Sequence, residues 1–205
     1  MGQAQLQQTT FTVEEYFALE EQSEVRHEFF EGEVFAMAGE SVAHNLLAGN
    51  CYLALRNTLR GRPCRVLMEN VQLAVQENRH YTYPDVMASC HPDDRRATRM
   101  QRHPVLLVEV LSPSTGEYDR GAKFNRYKTL PSLRHYVLVS QQRWLVEWYR
   151  RNEADEWTHT ALTEADDELF VPELDFRMRL SEVYEDTDVA PLRVLPPAAL
   201  SEDVE

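Results

Sequence analysis

The chain has 205 residues, of which 43% are hydrophobic and 27% are charged, a composition typical of a globular protein of one domain. No apolar run approaches the ~20 residues that a membrane-spanning helix needs, and the polar N-terminus lacks the blocks of a signal peptide. These features predict a cytoplasmic protein without a membrane partner, and the net charge of −13 argues against indiscriminate binding to nucleic acid.

The N-terminal part predicts a helix and a hairpin. Thr12 and Glu15 form a capping-box pattern, in which a hydroxyl precedes a carboxylate by three residues. A short helix should follow and reach about Gln22. The segment 27–38 predicts a β-hairpin, because aromatic and β-branched residues flank a turn at 31–32.

The next part predicts a long helix and two extended segments. Ser41 fits an N-cap, and the apolar residues of 41–59 largely follow the i, i+3, i+4 spacing of an amphipathic helix. Residues 65–75 alternate loosely and predict one strand. Residues 82–89 predict a further extended segment, since a proline biases the residue before it away from helix.

Residues 91–103 are polar and rich in arginine, and they predict an exposed, mobile loop. The run at 104–111 is almost continuously apolar, which indicates a strand buried on both faces of a sheet. A turn at 112–115 should lead into a helix over 119–128 with a basic side.

The C-terminal part predicts three strands, at 134–140, 144–149 and 157–162, of which the last two should pair in antiparallel fashion. Residues 170–184 should add at most one further strand and a short helix. The order of elements predicts a mixed α/β or α+β fold. The predicted organisation is a flexible N-terminus over 1–10, a single domain over 11–184 and an acidic, poorly ordered tail over 185–205.

The cysteine pattern gives no indication of a metal site or of disulfide bonds. Cys51, Cys64 and Cys90 are odd in number, widely spaced and without a CxxC pair, which argues against a disulfide framework or a cysteine-based zinc site. Reduced thiols in a cytosolic protein are the expectation.

The charge is distributed unevenly. Residues 95–134 carry nine arginines and lysines against three acidic residues, so a locally basic strip lies on an acidic chain. Such a strip could contact a phosphate backbone, and it could equally be a solvated face without a partner. The candidate contacts to nucleic acid are Arg95, Arg99, Arg120 and Arg126.

Two carboxylates lie where apolar residues are expected. Glu109 interrupts the apolar run at 105–111, and an unpaired buried carboxylate is costly to desolvate. Either a basic side chain pairs with Glu109, or its carboxylate binds a cation at the end of the strand. Asp85 interrupts a second apolar segment after Pro84. Two such carboxylates on adjacent strands can converge on one hard cation, Mg²⁺ or Mn²⁺.

Asp85 after a proline, with Glu109 in an apolar strand 24 residues later, resembles the PD-(D/E)XK nuclease signature. Over about residues 11–180 the chain resembles the Uma family of restriction-endonuclease-like proteins. The segments that carry the resemblance are 12–16, 27–33, 44–45, 83–86, 108–115 and 131–137, together with Asp119, Lys123 and Tyr127. The resemblance implies a central mixed sheet flanked by helices, and a metal held by Asp85, Glu109 and the Val110 carbonyl.

One position departs from the wider signature. Two residues after Glu109, where a lysine is expected, stands Leu111. The resemblance implies that Lys123 on the following helix replaces that lysine. Tyr127 is a further candidate, because it is the i, i+4 neighbour of Lys123 on one helix face. The alternative is that Lys123 is a solvated cation paired with Asp119, also at i, i+4.

Three further residues are possible members of the site. Glu28 and Glu31 both precede the long helix, and the resemblance favours one of them without distinguishing the two. Either could instead be an exposed acid of the hairpin. His44 lies near the start of the long helix, where a histidine can be a capping or core residue as well as a site residue.

These residues predict metal-assisted hydrolysis of phosphodiester bonds in nucleic acid, with DNA as the expected substrate. Lys123 would orient the attacking water or neutralise developing charge. The alternative is a catalytically silent module of the same fold that binds nucleic acid or a protein partner. The aromatic residues Trp144, Trp148 and Trp157 would pack the sheet or form a homodimer contact, and a homodimer is expected.

Overall fold

The structure is a computed structural model that describes residues 10–37 and 39–192. Within this part the helices are α1 Val13–Gln22, α2 Val42–Thr58, α3 Pro92–Arg96 and a short C-terminal helix, α5, Leu180–Val183. Between α3 and α5 lies a continuous helix, α4, over 116–127. It is built from the α-helical Gly116–Tyr118, the π-helical Asp119–Lys123 and the α-helical Phe124–Tyr127. Thr12 closes the predicted capping box at the start of α1, and Ser41 caps α2.

The strands of the first half are β1 His27–Phe30, β2 Glu33–Ala36, β3 Arg65–Met68, β4 Gln72–Gln76, β5 His80–Thr82, β6 Val86–Ser89 and β7 Met100–Gln101. Those of the second half are β8 Leu106–Leu111, β9 His135–Ser140, β10 Val146–Arg151, β11 Trp157–Leu162, β12 Glu168–Val171 and β13 Phe176–Arg179. A six-stranded sheet has the order β11-β10-β9-β8-β6-β3, and a five-stranded sheet has the order β2-β1-β5-β4-β7. The predicted mixed sheet flanked by helices is confirmed.

Strand β8 lies inside the six-stranded sheet, antiparallel to β6 and parallel to β9. All six of its residues are buried. Because side chains alternate between the faces of a strand, Leu106, Val108 and Val110 join the core under α2. Leu107 and Leu111 join the opposite core, which includes residues of α4. Glu109 therefore faces α4.

The predicted single strand over 65–75 is wrong. The chain breaks at Glu69 and Asn70, which have φ angles of 39° and 35° in the left-handed region. Strand β3 lies before the break at the edge of the six-stranded sheet, and β4 lies after it in the five-stranded sheet. The loose alternation of apolar and polar residues does not reveal that the two halves of this segment belong to different sheets.

Residues 91–103 are not the irregular loop that was predicted, although most of the arginine-rich segment is exposed as expected. This segment contains α3 and β7, and β7 pairs in parallel with β4. Asp94 is buried and accepts hydrogen bonds from the Ser89 hydroxyl and from the backbone N–H groups of Arg102 and His103 at 2.7–2.9 Å. A carboxylate with this many donors fixes the segment to the end of β6.

The C-terminal part holds one more strand than predicted. Strands β12 and β13 form an antiparallel hairpin, and the expected short helix follows as α5. Beyond it, Trp144 donates hydrogen bonds to the carbonyl groups of Val189 and Ala190 at 2.7 and 2.9 Å. The predicted N-terminal segment 1–10 and the tail 185–205 lie largely outside the described residues, so the predicted domain boundaries stay a prediction.

Two of the three cysteines form a disulfide bond, contrary to the prediction of reduced thiols. Strands β3 and β6 pair with Arg65 opposite Ser89, so the next residues outward, Cys64 and Cys90, face each other with a Cα–Cα distance of 4.0 Å. Cys51 is free and buried. The strand register, which decides this pairing, was not readable from cysteine spacing.

Among the described residues, no helix has both the length and the apolar composition required to cross a membrane.

Candidate active site

A pocket of about 360 Å³, lined by several charged side chains, lies where the start of α2, the turn before β6, β8 and α4 meet. Its lining includes every residue predicted as catalytic or metal-binding from the sequence. These predicted residues are Asp85, Glu109, Val110 and Lys123. Other residues of the lining include Glu28, His44, Tyr118 and Asp119.

Glu109 is buried on the face of β8 that is turned towards α4. The Tyr127 hydroxyl donates a hydrogen bond of 2.7 Å to Glu109 Oε1, and Lys123 Nζ lies 2.9 Å from the same oxygen. Burial raises the pKa of the Glu109 carboxyl to about 8; Lys123 opposes this shift, and Asp85 and Asp119 add to it. Of the two explanations left open by the sequence, a basic partner for Glu109 is therefore present, and binding of a metal cation by its carboxylate stays a prediction.

Lys123 is buried among three carboxylates. Its Nζ lies 2.9 Å from Glu109, 3.3 Å from Glu28 and 3.6 Å from Asp119. Burial alone would lower the pKa of the Lys123 ammonium, but Glu109 and Glu28 raise it well above its usual value. The lysine is therefore held as a cation. It is not the solvated helix residue of the alternative interpretation, although its i, i+4 contact with Asp119 does form.

Asp85 lies in the turn between β5 and β6. Its Oδ2 accepts a hydrogen bond from the Val110 backbone N–H at 2.6 Å, which ties the turn to β8. His44 Nε2 lies 3.2 Å from the same oxygen. Burial would lower the pKa of His44, but the hydrogen bond and charge of Asp85 raise it above its ordinary value. His44 thus contacts the site from the first turn of α2, while Ser41 caps that helix.

The structure separates the two hairpin acids. Glu28 is buried, accepts a hydrogen bond from the Thr82 hydroxyl and pairs with Lys123. Burial raises the pKa of Glu28, yet Lys123 and Thr82 hold it below its usual value. Glu31 lies in the turn of the hairpin, is exposed and pairs with Arg79. Of these two candidates, Glu28 is in the pocket and Glu31 is outside it.

The predicted arginine contacts are spread over the molecule. Arg126 donates a 2.7 Å hydrogen bond to the hydroxyl of Tyr118, which lines the pocket, and its guanidinium lies 3.3 Å from the centroid of the Phe30 ring. Arg120 pairs with Glu147 through Nε at 2.7 Å. Of the four candidates, Arg126 therefore adjoins the pocket through Tyr118.

Arg95 and Arg99 follow the far end of β6. That strand starts beside Asp85 and ends at Ser89, roughly 13 Å away at the usual rise per residue. Arg99 pairs with Glu21 at the end of α1. The structure does not bring these two arginines to the pocket.

A family model spanning residues 13–181, described as "Putative restriction endonuclease", matches this chain. The chain belongs to the Uma2 family. The matched range covers the strands and helices that build the pocket, from α1 to the first residues of α5.

Two relatives from Synechocystis sp. support the assignment to the Uma2 family. The protein slr1290 is 38% identical over 144 residues, which is 70% of this chain and 76% of the relative. The protein sll1609 is 34% identical over 153 residues, or 74% of this chain and 86% of the relative. Both are described as uncharacterized proteins.

A solved structure shares the Uma2-family fold seen here. It is described as a putative nuclease belonging to DUF820 from Anabaena variabilis, and it superposes with a TM-score of 0.69. The likeness covers 85% of this chain and 97% of the other at 17% sequence identity. At this identity the comparison establishes the fold.

Among the pocket residues of this Uma2-family chain that were not predicted as site residues are Tyr118 and Asp119. Asp119 was named as part of the family resemblance and as a possible helix partner of Lys123 but not as a site residue, and Tyr118 was not singled out. The signal available for Asp119 was its position four residues before Lys123, but that spacing is equally typical of an exposed ion pair. Burial, which separates the two cases, depends on packing against β8 and β9.

The pocket contains carboxylate and main-chain oxygens, which are donor types that Mg²⁺ prefers. Glu28, Asp85, Glu109 and Asp119 line the pocket together with a single lysine, so acidic groups outnumber it. Within the described residues, no three Asp, Glu, His or Cys side chains form a ready-made metal cluster. Two carboxylates, a main-chain oxygen and water would therefore have to share the coordination, which suits Mg²⁺ because it keeps several waters when bound.

Proposed function

We propose that this Uma2-family chain is a metal-dependent nuclease that hydrolyses phosphodiester bonds, with DNA as its substrate. The observation that carries the proposal is the meeting of Asp85, Glu109 and Lys123 in one pocket, from a turn, a strand and a helix. A buried lysine beside two carboxylates is the constellation that phosphodiester hydrolysis needs, since it joins a cation site to a fixed positive charge.

Asp85, Glu109 and the Val110 carbonyl would hold Mg²⁺ or Mn²⁺ in this proposal. Such an ion supplies Lewis-acid polarisation of a phosphate and lowers the pKa of a bound water. Val110 supports this role from its other side, because its backbone N–H already orients Asp85 at 2.6 Å. Groups that orient a ligand in this way commonly affect metal affinity about 10–100-fold.

Other pocket residues, and Tyr127 buried beside the pocket, act on these groups. Tyr127 holds one Glu109 oxygen by its hydroxyl, and His44 holds one Asp85 oxygen, so both carboxylates are fixed before a substrate arrives. Lys123 stays cationic and can stabilise negative charge that develops on a phosphate or orient a water. Glu28 and Asp119 hold the lysine in place.

One observation favours a second candidate function, a catalytically silent module that binds nucleic acid or a protein. Lys123 is engaged by three carboxylates, and arginines of the basic strip pair with acids of the same chain, as in Arg99–Glu21 and Arg120–Glu147. If Lys123 stays bound to the carboxylates of the same chain, the site would keep the fold but would not catalyse hydrolysis.

Nicking of supercoiled plasmid DNA tests the proposal. The wild-type chain should convert the plasmid with Mg²⁺ or Mn²⁺ and should be inactive with EDTA. The near-isosteric variants Asp85→Asn and Glu109→Gln should lose at least about 100-fold in rate, since each removes a charged metal ligand. Asp155→Asn, in an exposed turn far along the chain, is the matched control and should retain activity.

Metal binding measured by calorimetry separates the two candidates. Binding of Mn²⁺ that disappears in Asp85→Asn, together with nicking, supports the nuclease. Binding of DNA without metal binding and without nicking would instead establish the silent module. A single-stranded RNA of matched sequence, assayed in parallel, tests the preference for DNA. The homodimer and the cytoplasmic location stay predictions.

A further inference from the structure

Three hydrogen-bond donors at the pocket already bind its carboxylates. Lys123 is shared among three acidic side chains, and the Tyr127 hydroxyl donates to Glu109 at 2.7 Å. His44 Nε2 lies 3.2 Å from Asp85. Each of these groups fixes a carboxylate, and each would have to give up that contact to bind a substrate. Stabilising the negative charge of a phosphate therefore calls for a further donor.

Tyr118 is placed differently from these three donors. Thr115, Tyr118 and Asp119 have the i, i+3, i+4 spacing of one helix face at the start of α4, and all three line the pocket. The Tyr118 hydroxyl accepts a hydrogen bond of 2.7 Å from Arg126 Nη1. A phenol oxygen that accepts a hydrogen bond still has its own proton to donate. In the part of the chain that the structure describes, no acceptor is bonded to that proton.

Arg126 makes this hydroxyl a stronger donor. Its guanidinium lies 3.3 Å from the centroid of the Phe30 ring, and among the described residues it forms no ion pair with a carboxylate. The cationic N–H bond to Tyr118 polarises the phenol O–H, because hydrogen bonds in a chain strengthen one another. Burial raises the pKa of Tyr118 to about 12, so the hydroxyl keeps its proton at neutral pH.

We propose that the Tyr118 hydroxyl binds a non-bridging oxygen of the substrate phosphate, and that Arg126 acts through this hydroxyl as a positioning residue. The inference rests on the proposed function and adds to it a group that binds the substrate. The ligand class is a phosphate ester, because the pocket joins oxygens that suit a cation to a donor without a described acceptor. Its volume of about 360 Å³ lies within the range of small-molecule sites.

The acidity of the pocket explains why such a donor matters. Its carboxylates outnumber its lysine, so they repel an anion, and a phosphate needs donors in addition to any cation bound there. If Tyr118 instead only joined α4 to β1 through Arg126 and Phe30, its hydroxyl would affect stability and not the binding of phosphate. Measurements of binding, rate and stability separate the two roles.

Calorimetric titration with deoxythymidine 5′-monophosphate in excess Mn²⁺ is the first test. This ligand is a phosphate monoester, so a phosphodiesterase does not cleave it. Wild type should bind it, and Tyr118→Phe should weaken binding by about 10-fold, as expected for one hydrogen bond to a charged group. The affinity for Mn²⁺ alone and the urea midpoint should stay unchanged. A wild type that does not bind the nucleotide, or a variant that binds it as tightly, would overturn the proposal.

Tyr149→Phe is the matched control. Tyr149 is also a partly buried tyrosine whose hydroxyl has no hydrogen bond to a described residue, but it lies on β10 outside the pocket. Its removal should leave nucleotide binding unchanged. Thymidine, which lacks the phosphate, should bind no more tightly to wild type than to Tyr118→Phe.

Nicking of plasmid DNA tests the role of Arg126. Tyr118→Phe should lower kcat on the order of 100-fold, the usual effect of removing one donor to developing negative charge. Arg126→Met should lower kcat by a smaller factor, and the double variant should be no slower than Tyr118→Phe alone. Independent losses that multiply in the double variant would show that Arg126 contacts the substrate itself and would refute its role as a positioning residue.

The two assays distinguish a failure of this inference from a failure of the nuclease. A wild-type chain that binds the nucleotide through Tyr118 without nicking plasmid keeps the phosphate site and refutes the nuclease. A chain that nicks plasmid equally well with and without the Tyr118 hydroxyl keeps the nuclease and refutes the inference.

Discussion

At the scale of single residues, the pocket is governed by the position of one cation. Lys123 lies within 3.6 Å of Glu28, Glu109 and Asp119, and all four side chains are buried. Without the lysine, three carboxylates would lie together in a medium that screens charge poorly. These four side chains therefore stabilise the fold and form part of the proposed catalytic site at the same time. Removal of Lys123 should change the stability of the fold, which is measurable without an assay of activity.

We expect Lys123→Met to lower the free energy of unfolding by about 3–5 kcal/mol at pH 8, because it leaves buried carboxylates without their counter-charge. The loss should be smaller at pH 5 than at pH 8, since protonation of Glu109 and Asp119, whose pKa values are already raised, removes the repulsion. Urea unfolding at the two pH values measures both effects.

Lys128→Met is the control for this prediction, because it removes a lysine of the same region that lies over the Phe124 ring and is only partly buried. It should cost less than about 1 kcal/mol at either pH. A Lys123→Met variant with the same small cost would mean that the three carboxylates are neutral or solvated in the folded protein.

At the scale of elements, helix α4 shows what the sequence could predict and what it could not. The start of β8 and the basic helix after it were predictable from apolar content and spacing, and so were Glu109 and Lys123. The π-helical turn Asp119–Lys123 was not, since it places both of its end residues in the buried pocket through packing rather than propensity. Likewise, the sequence could not show that Glu28 rather than Glu31 lies in the pocket, because this depends on the turn geometry of the hairpin.

The pairing of β3 with β6 carries a prediction of its own. The disulfide Cys64–Cys90 closes a loop with a sequence separation of 26, which in the chain-entropy account stabilises the fold by about 3.5 kcal/mol. The double variant Cys64→Ser/Cys90→Ser should lose roughly this amount. A reductant should have the same effect on wild type and none on the double variant, and thermal unfolding with and without reductant measures it.

Cys51→Ala should keep the response of wild type to reductant, because Cys51 is free. If reductant does not change the unfolding temperature of wild type, the two thiols are reduced in the native protein, and the expectation drawn from cysteine spacing would be restored.

At the scale of the whole molecule, an acidic chain keeps a buried lysine, Lys123, inside a pocket of carboxylates. The chain has a net charge of −13, and arginines of the basic strip over 95–134 pair with acids of the same chain, as Arg99 does with Glu21 and Arg120 with Glu147. The sequence revealed the imbalance of charge but not its neutralisation, because the partners Glu21 and Glu147 are far away along the chain. Such ion pairs between distant parts of the chain depend on the topology of the fold, which the composition of the sequence does not reveal.

The boundary of the domain is testable at this scale. A chain ending at residue 192 should be more stable than one ending at residue 184 by about 2 kcal/mol. The longer chain keeps two hydrogen bonds from Trp144 to Val189 and Ala190, at about 1 kcal/mol each, and the Val189 contact with the core. Equal stability of the two chains in urea would place the boundary at 184, as the sequence predicted.

The pocket draws its residues from widely separated parts of the chain, and this has a consequence for the order of events in the cell. Glu28 comes from the first hairpin and Lys123 from a helix almost a hundred positions later, while β9 must pair with β8 to close the sheet behind them. Since synthesis runs from the N-terminus, a nascent chain carries Glu28 long before it carries Lys123. No growing fragment holds a finished pocket, and whatever chemistry the pocket performs begins only after most of the chain has left the ribosome.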